Sequence, residues 1–249
     1  MLGIVGLVGC RPKVSPKLDS PDSLSRQSGT SYVEGLRQSL WRKALPFTFR
    51  LEVHAGQAYL HEVHRGTGWL YRSGHVFTCR HLLPEKKGPV EIKAWDYEGN
   101  SYTMEVVWRD STADVALLYN ASLAREGLQL YPGEAVPVGW SVYSVGAPWG
   151  LSGTLYEGFV AGPLRWLGLE GAQTQPFLQL ALTVQPGSSG SPVLNAEGLV
   201  VGMVSDMATR SGTYEGLALA IPHTTLEEVW ERYCRFAGHD AQRHHTLCQ

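Results

Sequence analysis

The run Gln185-Pro186-Gly187-Ser188-Ser189-Gly190-Ser191-Pro192 places a serine among glycines and closes with proline. A serine hydroxyl attacks a carbonyl only when it is exposed and nearby backbone N–H groups face the developing oxyanion. Glycines beside the serine let the chain turn tightly and bring bare amides against a substrate. On this reading Ser189 is the nucleophile, and the N–H groups of Gly187 and Ser189 form the oxyanion hole. The competing reading is a plain Gly/Ser/Pro loop between two strands.

The segment resembles the G-[ND]-S-G-[GS]-P signature of trypsin-like serine peptidases. Gly68-Trp69-Leu70, followed by Gly74-His75-Val76-Phe77-Thr78-Cys79-Arg80-His81-Leu82, is similar to that family's hydrophobic strand and T-x-x-H. Thr112-Ala113-Asp114-Val115-Ala116-Leu117-Leu118 is similar to its D-[ILV]-A-[LV]-L segment. The order His, Asp, Ser is that of chymotrypsin and not that of α/β-hydrolases. Over residues 47–236 the resemblance is nearest to HtrA/Deg-like protease domains. Gly146-Ala147-Pro148-Trp149-Gly150-Leu151 resembles their G-x-P-[FW]-G-L segment, and Leu217–Pro222 their strand before a closing helix. No PDZ domain is expected to follow within the chain. Ser188 stands where Asn or Asp is usual, and Ser191 replaces a second glycine, as in glutamyl endopeptidase-like relatives.

The resemblance implies an all-β fold of two six-stranded antiparallel β-barrels, with a short N-terminal and a C-terminal helix. It implies a serine endopeptidase that cleaves exposed or unfolded polypeptide through an acyl-enzyme, with no cofactor and no metal. His81 is then the general base and Asp114 its orienter. The chemistry agrees, since a histidine ordinarily titrating at about 6.5 can take the serine proton and return it to the leaving amine. A carboxylate beside it holds the tautomer and stabilises the imidazolium. Val204, Ser205 and Asp206 fall on the strand that, in this family, pairs with substrate backbone. Asp206 itself reads as solvent-facing. Two alternatives stay open on the same scaffold: a catalytically silent peptide-binding pseudoprotease and an esterase.

The elements that would carry these residues are legible in the apolar periodicity. Ser31 and Glu34 have capping-box spacing ahead of Leu36, Leu40 and Trp41, which predicts a helix over 32–44 ended by Pro46. Phe47, Phe49, Leu51 and Val53 alternate with polar residues, the pattern of a half-buried strand. Short apolar runs then recur between turn residues at 69–71, 76–78, 90–95, 102–108 and 115–119. A second series follows at 141–145, 154–160, 177–184, 192–194, 199–205 and 217–221, which favours antiparallel sheet over α/β. Residues 121–139 read as the connection between two β halves. Thr224 and Glu227 precede an apolar stripe of Leu226, Val229, Trp230 and Tyr233, predicting a closing helix. The domain is expected over 31–236, with a loose tail over 237–249.

Composition excludes other classes. The formal net charge is −2 with acids and bases interspersed, so no basic stripe for nucleic acid exists. The 28 glycines and 14 prolines suit a turn-rich β protein. The first ten residues are apolar but too short to span a bilayer. Leu7-Val8-Gly9-Cys10 resembles a bacterial lipobox, which implies lipidation at Cys10, membrane contact through that anchor and an envelope location. Residues 11–30, rich in Ser, Pro and charge, read as a flexible tether. The other reading of this stretch is a frayed terminus of a cytoplasmic protein. Deg-like relatives also imply a homo-oligomer, with residues 31–45 as the contact. Cys10, Cys79, Cys234 and Cys248 lack zinc-site spacing, and a Cys234–Cys248 bridge would need an oxidising compartment. His61-Glu62-Val63-His64 lacks the i, i+4 histidines of a zincin helix.

Overall fold

The computed structural model describes residues 31–56, 62–84, 90–167, 175–210 and 213–239, without the side chains of 167, 206–215 and 238–239. The predicted lipid anchor at Cys10, the tether over 11–30 and most of the tail lie outside the described residues.

Helix α1 (Tyr32–Ala44) starts where Ser31 Oγ accepts the Glu34 N–H at 3.3 Å and the Glu34 carboxylate accepts the Ser31 N–H at 2.8 Å. This reciprocal pair satisfies two donors that a helix start leaves open. Arg42 and Lys43 in the last turn complement the helix dipole, and Leu40 and Ala44 are buried. Pro46 then leads through one 3₁₀ turn into the first strand.

Strands β1 (Thr48–Ala55), β2 (Glu62–Arg72), β3 (His75–Thr78), β4 (Val90–Trp95), β5 (Ser101–Arg109) and β6 (Ala116–Tyr119) close a barrel in the order β1-β2-β3-β6-β5-β4. Strands β7 (Ser141–Gly146), β8 (Thr154–Leu167), β9 (Gln175–Ala181), β10 (Pro192–Leu194), β11 (Val200–Arg210) and β12 (Thr213–Pro222) close a second, ordered β10-β11-β12-β9-β8-β7. The expected pair of six-stranded antiparallel barrels is therefore the observed fold. In β1, Phe49, Leu51 and Val53 are buried while Arg50, Glu52 and His54 are not, as a two-residue period requires.

Each barrel has its own core, with Phe49, Leu51, Val76 and Ile92 in the first and Val142, Leu178, Leu180 and Val201 in the second. A third cluster joins Trp69 and Phe77 to Val145, Met203 and Ile221 and to Leu226, Val229 and Trp230 of the closing helix α2 (His223–His239). Trp69 stacks on Phe77 with ring centroids 5.0 Å apart, and Tyr71 meets Trp230 edge-on at 5.2 Å. Burying one large side chain of this kind is worth about 2–3 kcal/mol, so packing fixes one barrel against the other. The Tyr233 hydroxyl lies 2.9 Å from His75 Nε2, and burial pushes its pKa up to about 12, with help from Tyr119 and Glu105.

The segment over 121–139 is stitched to both barrels: Leu128 N–H donates to Leu70 O and Tyr131 N–H to Val200 O, each at 2.9 Å. Helix α2 continues past residue 236, where the sequence placed the domain end. Cys234 is disulfide-bonded, with its partner outside the described residues, while Cys79 is a buried thiol outside any disulfide. Among the described residues no helix is long and apolar enough to cross a membrane.

Candidate active site

His81 sits in a single 3₁₀ turn (Arg80–Leu82) just after β3, and Asp114 lies in the loop joining β5 to β6. That loop is shaped by Asp110, whose Oδ1 accepts the N–H groups of Thr112 and Ala113, both at 2.9 Å. Its other oxygen takes Arg232 Nε from α2 at 3.0 Å and Trp108 Nε1 at 3.2 Å. Burial alone would raise the Asp110 pKa, but Arg232, Thr112 and Trp108 hold it below the usual carboxylate value. The loop is thus clamped at its start, and Asp114 emerges in a fixed direction.

Asp114 Oδ1 accepts the His81 backbone N–H at 2.8 Å, and Oδ2 lies 2.7 Å from His81 Nδ1. Since an ionised carboxylate only accepts, Nδ1 carries the proton and Nε2 is the nitrogen that acts as a base. Asp114 Oδ2 also accepts the Ser205 hydroxyl at 2.7 Å. Burial would raise the pKa of Asp114, yet its hydrogen bonds with His81 and Ser205 hold it below its ordinary value. The carboxylate is nearly buried, whereas the His81 side chain is 46% exposed, so the ring bridges the interior and the cleft.

Ser189 occupies the loop between β9 and β10, and its hydroxyl donates to Ser205 O at 3.2 Å. His81 and Ser189 are therefore linked by three hydrogen bonds that pass through Asp114 and Ser205. Around the serine, Ser188 N–H donates to Gln185 O, Gly190 N–H to Val204 O and Ser191 N–H to Ser188 O. The N–H groups of Gly187 and Ser189 donate to no acceptor among the described residues. Two amides left open in an otherwise saturated turn form a ready anion site. Gly187 has φ of +98°, and a Cβ there would stand 2.7 Å from Ala147 O, so glycine is required. The unusual Ser188 fits the turn, because its hydroxyl accepts the Gln185 N–H at 3.2 Å.

The predicted substrate strand is placed less simply. β11 carries a bulge between Val204 and Asp206, so Ser205 is the extra residue and both its hydroxyl and its carbonyl face the loops. Val204 is buried; its N–H donates to Ser191 O and its carbonyl accepts from Gly190 N–H, so it has no free main-chain group for a substrate. Of the three residues expected there, Val204 instead shapes the nucleophile loop. The Asp206 side chain lies outside the described residues.

Cys79 Sγ donates to Val204 O at 3.2 Å beneath the site. Its sulfur, a His81 ring nitrogen and an Asp114 oxygen lie within 4.8 Å of one another. Both Asp114 oxygens are engaged, so a metal could enter only by displacing the His81 and Ser205 bonds. Sequence reasoning missed Gln175, whose Oε1 accepts the Asp114 N–H at 2.9 Å from the opposite barrel. It also missed Thr67, whose hydroxyl donates to Gly187 O at 2.8 Å. Neither has a local signal, because each acts only once the barrels meet.

The family model described as a trypsin-like peptidase domain matches residues 66–203. A protein of Halomonas elongata named "Probable periplasmic serine endoprotease DegP-like" is 33% identical over 165 residues, covering 66% of this chain and 34% of its own length. A likewise named protein of Ectopseudomonas mendocina is 27% identical over 224 residues, covering 88% of this chain and 46% of its own. The chain thus spans between a third and a half of these relatives' length. Among solved structures, the HtrA-type protease AlgWS227A with a tripeptide superposes with a TM-score of 0.67 at 20% identity, covering 78% of this chain and 62% of that one. At that identity the likeness shows the fold alone.

Proposed function

Because the chain belongs to the trypsin-like peptidase family, we propose that it is a serine endopeptidase with Ser189 as nucleophile, His81 as base and Asp114 as orienter. The observation that carries the reading is the hydrogen-bonded path from His81 to Ser189 beside two open amides. Ser189 Oγ attacks the scissile carbonyl while its proton passes to His81 Nε2. The oxyanion is held by the N–H groups of Gly187 and Ser189, and Asp114 stabilises the imidazolium. The imidazolium protonates the leaving amine, giving an acyl-enzyme. Water, deprotonated by His81, then hydrolyses the ester and restores the hydroxyl.

The substrate is extended or unfolded polypeptide, supported by the place of Ser205 on β11 directly beside the nucleophile, where its carbonyl accepts the Ser189 hydroxyl. Degradation of unfolded casein by the full chain tests this. Ser189→Ala should lower turnover by about 10⁴-fold or more; undiminished cleavage by that variant overturns the reading.

The protein works at the cell envelope, held by a lipid at Cys10. The relatives' names, the lipobox-like Leu7–Cys10 and the disulfide at Cys234 support this, since disulfides persist in oxidising compartments. Fractionation of producing cells tests it: envelope recovery that shifts to the soluble fraction in Cys10→Ala supports the anchor, and cytoplasmic recovery of the native chain overturns it. The chain self-associates through α1, where Tyr32 and Val33 are exposed. Sedimentation of native protein against Tyr32→Lys tests this, with a native monomer contradicting it.

A further inference from the structure

The Pro186–Gly187 peptide must keep one orientation for the oxyanion hole to exist, and Gly187 is its soft joint. In a trans peptide the C=O and N–H point opposite ways, so pinning a carbonyl aims the amide of the same plane. Pro186 O accepts the Trp149 N–H at 2.9 Å, which turns the Gly187 N–H outward. Ser188 O accepts the Ser191 N–H at 2.9 Å, which does the same for the Ser189 N–H. Between these two planes lies the Gly187–Ser188 peptide. Its carbonyl is held by a side chain, the hydroxyl of Thr67 on β2, at 2.8 Å.

Thr67 is fully buried, and every polar group it owns is used around this loop. Its N–H donates to Ser189 O at 2.8 Å, and its carbonyl accepts the Thr78 hydroxyl at 2.8 Å. Its own hydroxyl also accepts the Ala147 N–H at 3.0 Å, which ties the turn carrying Trp149 to the same point. One residue of the first barrel thus grips the carbonyls of Gly187 and Ser189, whose amides are the open pair. We infer that the Thr67 hydroxyl is the positioning residue that keeps the oxyanion hole formed. Without it the Gly187 carbonyl is released, and glycine, which tolerates either sign of φ, lets the adjoining peptide rotate its N–H out of the hole.

This inference rests on the peptidase reading, so its test separates the two. The limiting rate and half-saturation of casein cleavage, and the rate of phosphonylation by a fluorophosphonate, are compared in the native chain, Thr67→Val and Thr67→Ser. Thr67→Val keeps the shape and removes the hydroxyl. It should lose about 10- to 100-fold in kcat, less than or equal to the loss of a hole donor, with KM little changed. Phosphonylation should slow in parallel, and Thr67→Ser should restore most of both rates. If Thr67→Val lacks a cooperative melt, Thr67→Ala is read in its place. Native-like kcat in the variant that lacks the hydroxyl, a loss confined to KM, or equal loss in Thr67→Ser overturns the inference. A native chain that fluorophosphonate does not label overturns the peptidase reading instead.

Discussion

Ser205 Oγ donates to Asp114 Oδ2 at 2.7 Å, reaching from the second barrel into the first and landing on the oxygen that also binds His81. The relation exists because β11 bulges at Ser205 while the Asp110 turn fixes the other side. Ser205→Ala should therefore lower kcat by about 10-fold, since one of several bonds orienting Asp114 is lost. Asp114→Asn, which removes the charge and the tautomer control, should cost about 10⁴-fold. Steady-state kinetics of the two variants check the ranking; equal losses would remove Ser205 from its supporting place.

Gly187 combines φ of +98° with no room for a Cβ. Gly187→Ala should keep a cooperative melt yet lose about 10²- to 10³-fold in kcat, as when one donor of an oxyanion hole is removed. Circular dichroism on heating and turnover measured together check this, and an active variant would contradict the placement of the hole.

Asp110 and Asp114 are both held below the ordinary carboxylate pKa in the folded chain. They bind protons less tightly folded than unfolded, so their stabilisation is complete above the unfolded value. It fades as pH falls through the folded values, below about pH 4. Melting temperature followed from pH 7 down to pH 3 should drop in that lower window. Asp110→Asn removes the charge opposite Arg232, which keeps Glu228 and the Thr112 hydroxyl, and should cost about 1–3 kcal/mol at neutral pH, with a shallower acid decline. An unchanged acid decline in that variant would contradict the assignment.

Much of this protein was legible in its sequence where local pattern and final environment coincide. Ser31 and Glu34 marked the start of α1 at the observed residue, and the alternation of Phe49, Leu51 and Val53 marked β1. The Ser189, His81 and Asp114 segments stood out because each carries its chemistry with its own turn residues. What stayed hidden depends on contacts between distant stretches. β2 begins at Glu62, well before the apolar run at Trp69, since its first residues pair by backbone and carry little apolar pattern. β8 likewise runs on to Leu167 beyond the predicted end near Val160, through register shifts that blur its alternation. Val204 looked like part of a substrate strand, but its main chain is taken by Ser191 and Gly190. Thr67 and Gln175 are ordinary strand residues by pattern and gain their place only when the barrels close.

The most direct test is the intact mass of the protein after exposure to a fluorophosphonate, followed by mapping of the adduct. A single adduct on Ser189 that forms readily in the native chain and at least about 10³-fold more slowly in His81→Ala is the expected result. Labelling elsewhere, or labelling of Ser189 at the same rate without His81, would contradict the account.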